Sequence, residues 1–125
     1  MKSCEEFQSS LLNIHNGCLW GDRGIGKSYG LARIALARNI GQPIVITAAG
    51  FRQSRIVKYY IEQLCAAKGI DINTLNISCV PVSQLKSFIK GLHCLLLVDE
   101  FTFIPREYLS VITSTKNWVA VASND

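Results

Sequence analysis

Five short apolar runs punctuate the chain, at residues 17–20, 43–48, 77–80, 94–98 and 118–122, and polar residues separate them in stretches with helical spacing. The run Pro43-Ile44-Val45-Ile46-Thr47-Ala48 is continuous in apolar character, as a strand buried on both faces should be, and residues 94–98 are the most apolar of all. Between the runs the pattern predicts helices. Phe7, Leu11 and Leu12 predict one over 3–12, with Ser3 and Glu6 in capping-box relation. Leu31, Ile34 and Ala35 predict another over 29–37, followed by Arg38 and a glycine stop at Gly41. Residues 52–68 form a third, with Ile56, Tyr60 and Leu64 on one face and Gly69 at its end. Ser83 opens a fourth that Gly91 closes, and Pro105 precedes a fifth over 106–113. Strands alternating with helices at this spacing predict an α/β fold: a mainly parallel sheet of about five strands, right-handed crossovers, and helices on both faces.

Composition narrows the class. With 125 residues, 49% hydrophobic and 18% charged, the chain suits one soluble domain with a single core. The net charge of +4 fits a phosphate-bearing partner without demanding one. The five cysteines, Cys4, Cys18, Cys65, Cys79 and Cys94, are odd in number and scattered, which points to reduced, mostly buried thiols rather than a disulfide framework. The sequence shows no secretory leader and no membrane span, so an intracellular location is expected: cytoplasm or nucleus, of a host cell if the protein is viral. His15 and His93 have no partner pattern and read as structural.

The chemistry begins at Gly21-Asp22-Arg23-Gly24-Ile25-Gly26-Lys27-Ser28, a complete G-x-x-x-x-G-K-[ST] phosphate-binding loop. Small residues let consecutive backbone N–H groups curl around a polyphosphate, Lys27 reaches the β/γ oxygens, and the Ser28 hydroxyl ligates Mg²⁺. The following helix adds the positive end of its dipole. A glycine-rich turn before an ordinary helix is the plainer reading; an apolar strand ahead of the loop and a helix behind it argue against that. Arg23 has two readings. Its guanidinium either contacts phosphate oxygens as a built-in arginine finger, or pairs with Asp22, Asp99 or Glu100.

Leu95-Leu96-Leu97-Val98-Asp99-Glu100 supplies the second half, an apolar strand that delivers two carboxylates to the sheet's C-terminal edge. Asp99 would hold Mg²⁺ and Glu100 would orient or deprotonate the attacking water, so the pair suggests a hydrolase rather than a kinase. Alone, such a run is no more than a strand ending in an acidic turn. Downstream of a phosphate-binding loop in an alternating chain, it is the Walker B element that complements Walker A.

Together these residues resemble a family. The DRGIGKS loop, Ile44 to Ala48, Gly91, and Leu97-Val98-Asp99-Glu100-Phe101-Thr102-Phe103-Ile104-Pro105 resemble the ATPase domain of viral large terminase subunits, which package double-stranded DNA. Arg23 and the DE-x-x-x-Ile-Pro run carry most of that similarity. The same residues resemble, more weakly, the helicase-like module of RNA cytidine acetyltransferases. The resemblance implies a three-layer P-loop NTPase core that binds ATP and Mg²⁺ and hydrolyses ATP on nucleic acid, double-stranded DNA above all. ATP is expected over GTP because no N-K-x-D motif is present. It assigns Lys27, Glu100 and Arg23 to catalysis, Gly21 to Ser28 to the nucleotide, and Ser28 and Asp99 to the metal. It also places the last strand between the two motif strands, with a polar residue at its tip, Asn124 first and Ser123 next, sensing the γ-phosphate. Arg52, Arg55 and Lys58 would contact a nucleic-acid backbone, a solvated helix face being the alternative. Phe51, Phe101, Phe103 and Tyr108 offer either stacking surfaces or core packing. Both families carry this core in much longer chains, so the expectation includes a first strand at a sheet edge and a homo-oligomer or partner subunit. The alternatives are a helicase-like or helicase-loader ATPase, and a module that binds nucleotide but needs a partner to hydrolyse it.

Overall fold

The computed structural model describes residues 4–22, 25–38 and 41–123. Ten elements alternate: α1 (Cys4–Leu12), β1 (Gly17–Gly21), α2 (Lys27–Ala37), β2 (Ile44–Thr47), α3 (Phe51–Lys68), β3 (Ile77–Cys79), α4 (Val82–Ile89), β4 (Leu95–Val98), α5 (Leu109–Thr113) and β5 (Trp118–Ser123). The strands form one five-stranded sheet in the order β1-β5-β4-β2-β3, and every pairing is parallel. As expected, β5 lies between β1 and β4, and β1 stands at one end of the sheet.

The order explains where the helices go. From β1 the chain crosses to β2 and then outward to β3; it returns to insert β4 and then β5. Because crossovers are right-handed, reversing the direction of travel moves the connecting helices to the other face. Strand residues sort accordingly with period two. Ile44, Ile46, Leu95, Leu97, Val119 and Val121 pack with Phe7 and Leu11 of α1, Leu31 and Ile34 of α2, and Val57 and Ile61 of α3. Their neighbours Val45, Leu96, Val98 and Ala120 pack with Val82 and Leu85 of α4 and Ile112 of α5. All four residues of β2 and of β4 are buried, which is why those segments read as unbroken apolar runs.

Several local expectations are corrected. The buried stripe of α3 is Ser54, Val57, Ile61 and Cys65, whereas Ile56 is exposed and Tyr60 and Leu64 are only half-buried. The predicted face is thus one residue out of phase. Tyr60 packs edge-on against Tyr29 and Tyr59 at the rim of the core, which gave it the look of a core position. Ser83 does not cap α4: Pro81 is the N-cap and its backbone carbonyl takes the Gln84 amide. The fifth helix divides into a 3₁₀ turn, Arg106–Tyr108, and the short α5. Two further 3₁₀ turns, Ile72–Thr74 and Phe101–Phe103, had no sequence signal. The proposed Ser3 cap lies outside the described residues.

No cysteine of the chain is in a disulfide: Cys65 and Cys94 are buried, Cys18 and Cys79 half-buried, and Cys4 exposed. Among the described residues no helix is long and apolar enough to cross a membrane.

Candidate functional site

The chemistry gathers at the C-terminal edge of the sheet, where β1, β4 and β5 end side by side. At the end of β1 a side chain on Gly21 would come within 2.6 Å of Phe7 and 2.9 Å of Ile25, so glycine there lets the loop leave the strand against the core. Gly26 is the N-cap of α2 with φ 86°, a left-handed conformation, and no side chain caps this helix. Its carbonyl starts the helix by accepting the Gly30 amide at 2.8 Å, and also accepts the Gln8 side-chain amide of α1 at 2.8 Å. Gln8 in turn lies 3.4 Å from an Arg33 nitrogen, which donates to it. Gln8 therefore braces the loop from a helix that the motif does not include, and nothing in the sequence marked it. Gly30 carries the same close packing one turn on, since a side chain there would sit 2.4 Å from Leu11.

Lys27 is buried, and its ammonium donates to the Asp22 carbonyl at 3.0 Å, across the loop. Ser28 reaches the other motif: its hydroxyl donates to Asp99 Oδ2 at 2.7 Å, joining positions 71 residues apart in sequence. The topology makes this possible. Asp99 directly follows β4, one strand away from β1 with only β5 between them. The Asp99 amide donates to the Thr47 carbonyl, which continues the β2–β4 ladder one step beyond the strand and fixes where the carboxylate emerges.

Asp99 is only 3% exposed. Burial pushes its carboxyl above the ordinary range and the nearby Glu100 carboxylate adds to that, while the Ser28 hydroxyl, the Glu100 amide and Lys27 pull the other way. Its second oxygen, Oδ1, is buried and has no hydrogen-bond partner among the described residues. A buried, unpaired carboxylate oxygen is costly, and a cation is what such an oxygen fits. The donor set of Ser28 hydroxyl and Asp99 carboxylate is all oxygen, as a hard divalent cation requires.

Glu100 has φ 50° and ψ 62°, a conformation uncommon for residues other than glycine. That backbone turns its carboxylate away from the path of β4 and toward β5. There the Ser123 hydroxyl lies 3.1 Å from both Glu100 oxygens. After Glu100, Phe101 stacks on Trp118 at 6.0 Å and Ile104 is buried in the core below. The DE-x-x-x-Ile-Pro run is thus anchored by apolar packing on both sides of the turn, and Phe101 and the half-buried Tyr108 are packing residues.

The edge also collects the basic positions. Arg52 and Arg55 are exposed and Lys58 is half-buried, all on the first turns of α3, which starts just beyond β2. The Arg55 guanidinium sits 5.9 Å from the exposed Phe51 ring. Phe103 is exposed as well. Of the remaining predicted residues, Asp22 and Ile25 lie within the loop, and the Ile25 amide donates to the Asp22 carbonyl at 3.3 Å. Arg23, Gly24 and Asn124 lie outside the described residues.

The chain matches no protein-family model, and no curated protein matches it significantly. A functional reading therefore rests on the residues of this edge.

Proposed function

We propose that this chain is a P-loop nucleoside-triphosphatase that binds ATP with Mg²⁺ and hydrolyses it, acting on nucleic acid in the manner of a terminase-type packaging ATPase. The observation that carries the reading is the Ser28–Asp99 hydrogen bond, because it joins the two motifs at one point on a parallel sheet's C-terminal edge, the usual ligand edge of such sheets. The unpaired Asp99 Oδ1 beside it supports a cation site formed by Ser28 and Asp99. Magnesium bound there would neutralise phosphate charge.

The roles of the chain's own groups follow from their positions. Lys27 exchanges the Asp22 carbonyl for phosphate oxygens when nucleotide enters, so the ammonium stays satisfied in both states. The uncapped N-terminus of α2 presents its amides and the positive end of its dipole to the same phosphates. Glu100 takes the proton of the attacking water or orients it, and Ser123 holds its carboxylate in place. Arg23, by resemblance, would stabilise charge in the transition state. Arg52, Arg55 and Lys58 would contact phosphates of the polynucleotide, and their place on the same edge supports that role.

Nucleotide binding and turnover measured on two variants test this. Lys27→Ala is expected to lose binding, and Glu100→Gln to keep binding while hydrolysis stops. Undetectable turnover by the unmutated chain, with nucleic acid present, would overturn the hydrolase reading in favour of a nucleotide-binding module. Stimulation by double-stranded DNA supports packaging, and stimulation by single strands or RNA alone favours the helicase-like alternative.

A further inference from the structure

At the opposite edge of the sheet, where β4 and β5 begin, a cavity of about 770 Å³ opens between the C-terminal ends of α4 and α5. Its size falls within the range of small-molecule sites, roughly 300–1,000 Å³. Lys86, Lys90, His93 and Lys116 line it, and among the described residues no aspartate or glutamate does. Ile89, Val111 and Cys94 supply apolar wall. Lys86 and Lys90 would be at home beside the carbonyl end of α4 for helix stability alone. That does not account for Lys116, which sits on the turn into β5, or for the concavity that the three lysines share. The two helix ends contribute about half a negative charge each at most, and less for the short α5, so three lysines leave the cavity positive.

We propose that this cavity is a second ligand site, separate from the nucleotide loop, which takes a small amphipathic anion: an apolar body against Ile89, Val111 and Cys94, and a phosphate or carboxylate among Lys86, Lys90 and Lys116. The two sites lie at opposite ends of the same strands, roughly 15 Å apart for strands of this length at about 3.3 Å per residue. A ligand here would touch Cys94 and Asn117, the residues just ahead of β4 and β5, while Glu100 and Ser123 stand at the other ends of those strands. The inference does not depend on the nucleotide reading.

A fluorescence titration of the full chain with 8-anilinonaphthalene-1-sulfonate, itself an amphipathic anion, tests it. Saturable binding at one site per chain is expected, weakening several-fold between ~0.05 and ~0.5 M salt as screening grows. Lys90→Glu/Lys116→Glu should weaken it by about tenfold or more, since two attractions become repulsions. Both lysines are exposed, so thermal melting should show the variant folded. Ser114→Trp, which puts bulk into the cavity without changing charge, should also abolish binding. Lys27→Ala should leave it intact. Phenyl phosphate and benzoate serve as competitors that share a ring and differ in head group; displacement by either supports the site and identifies the head group. Non-saturable binding, insensitivity to both cavity variants, loss in Lys27→Ala, or displacement by neither competitor would overturn the proposal.

Discussion

Ser123 and Glu100 are joined at the tips of two adjacent strands, the serine hydroxyl 3.1 Å from each carboxylate oxygen. One hydroxyl has one proton to give, and it is shared between the two carboxylate oxygens, which fixes the orientation of the carboxylate. On the proposed hydrolase reading, Ser123→Ala is expected to lower kcat by about ten- to a hundredfold, because small displacements of a positioned group cost that much. Nucleotide affinity should change little. Steady-state turnover beside equilibrium nucleotide binding separates the two, and an equal loss in both would mean that Ser123 supports the fold instead.

The backbone of Glu100 adds a second prediction. A left-handed conformation costs a residue with a side chain about 1 kcal/mol relative to glycine. Glu100→Gly should therefore raise stability toward urea by up to about 1 kcal/mol while abolishing hydrolysis. If Glu100 is the base proposed above, strain retained at its turn would then be visible directly as a trade of stability for activity.

The Ser28–Asp99 bond should be measurable without any nucleotide. Ser28→Ala leaves both carboxylate oxygens of Asp99 buried without a hydroxyl partner, at an expected cost of about 1–3 kcal/mol. In the Asp99→Asn background the serine change should cost distinctly less, since no charge remains to be satisfied. A double-mutant cycle by chemical unfolding measures the difference. Additive effects would show that the two groups do not interact in solution.

Cys18 provides a pH signature. Burial raises its thiol from 9.0 to about 11. The folded chain thus holds this proton more tightly than the unfolded chain does. Stability from this group is intact below pH 9, declines as the unfolded thiol ionises first, and levels off above about 11. Cys18→Ser should flatten the decline over that window in thermal melts. At mild pH the exposed Cys4 should react with a thiol reagent well before Cys65 and Cys94, which are buried.

For the basic cluster, salt is the discriminating variable. If Arg52, Arg55 and Lys58 meet phosphates, replacing all three with alanine should reduce the slope of log affinity against log salt by about 2–3 on double-stranded DNA, close to one unit per lost contact. An unchanged slope would assign these residues to a solvated helix face.

Much of this arrangement is legible in the sequence. Unbroken apolar segments such as 44–47 and 95–98 marked buried parallel strands, because both of their faces meet helices and no polar alternation survives. The turn from β1 into α2 was legible because its glycines take positions that only glycine fits: Gly21 is packed against Phe7 and Ile25, and Gly26 has a left-handed backbone. Even the meeting of Ser28 with Asp99 was implied, since each motif names the same edge. Other features left no local trace. The buried face of α3 lies one position away from the one its hydrophobic pattern suggests, because aromatic Tyr60 at the rim looks like core to such a pattern, while the small buried Ser54 and Cys65 do not. Gln8 gave no signal because its partner, the Gly26 carbonyl, belongs to a helix brought beside α1 only by packing.

What the sequence determined by itself is therefore the succession of strands and α-helices, because these follow from interactions among residues near one another in the chain. The strand order determined the rest. Inserting β5 between β1 and β4 sets Ser123 against Glu100. It also brings the starts of β4 and β5 together beneath Lys86, Lys90 and Lys116. Those contacts join distant segments through the closure of a sheet, and only the folded chain brings their two halves within reach.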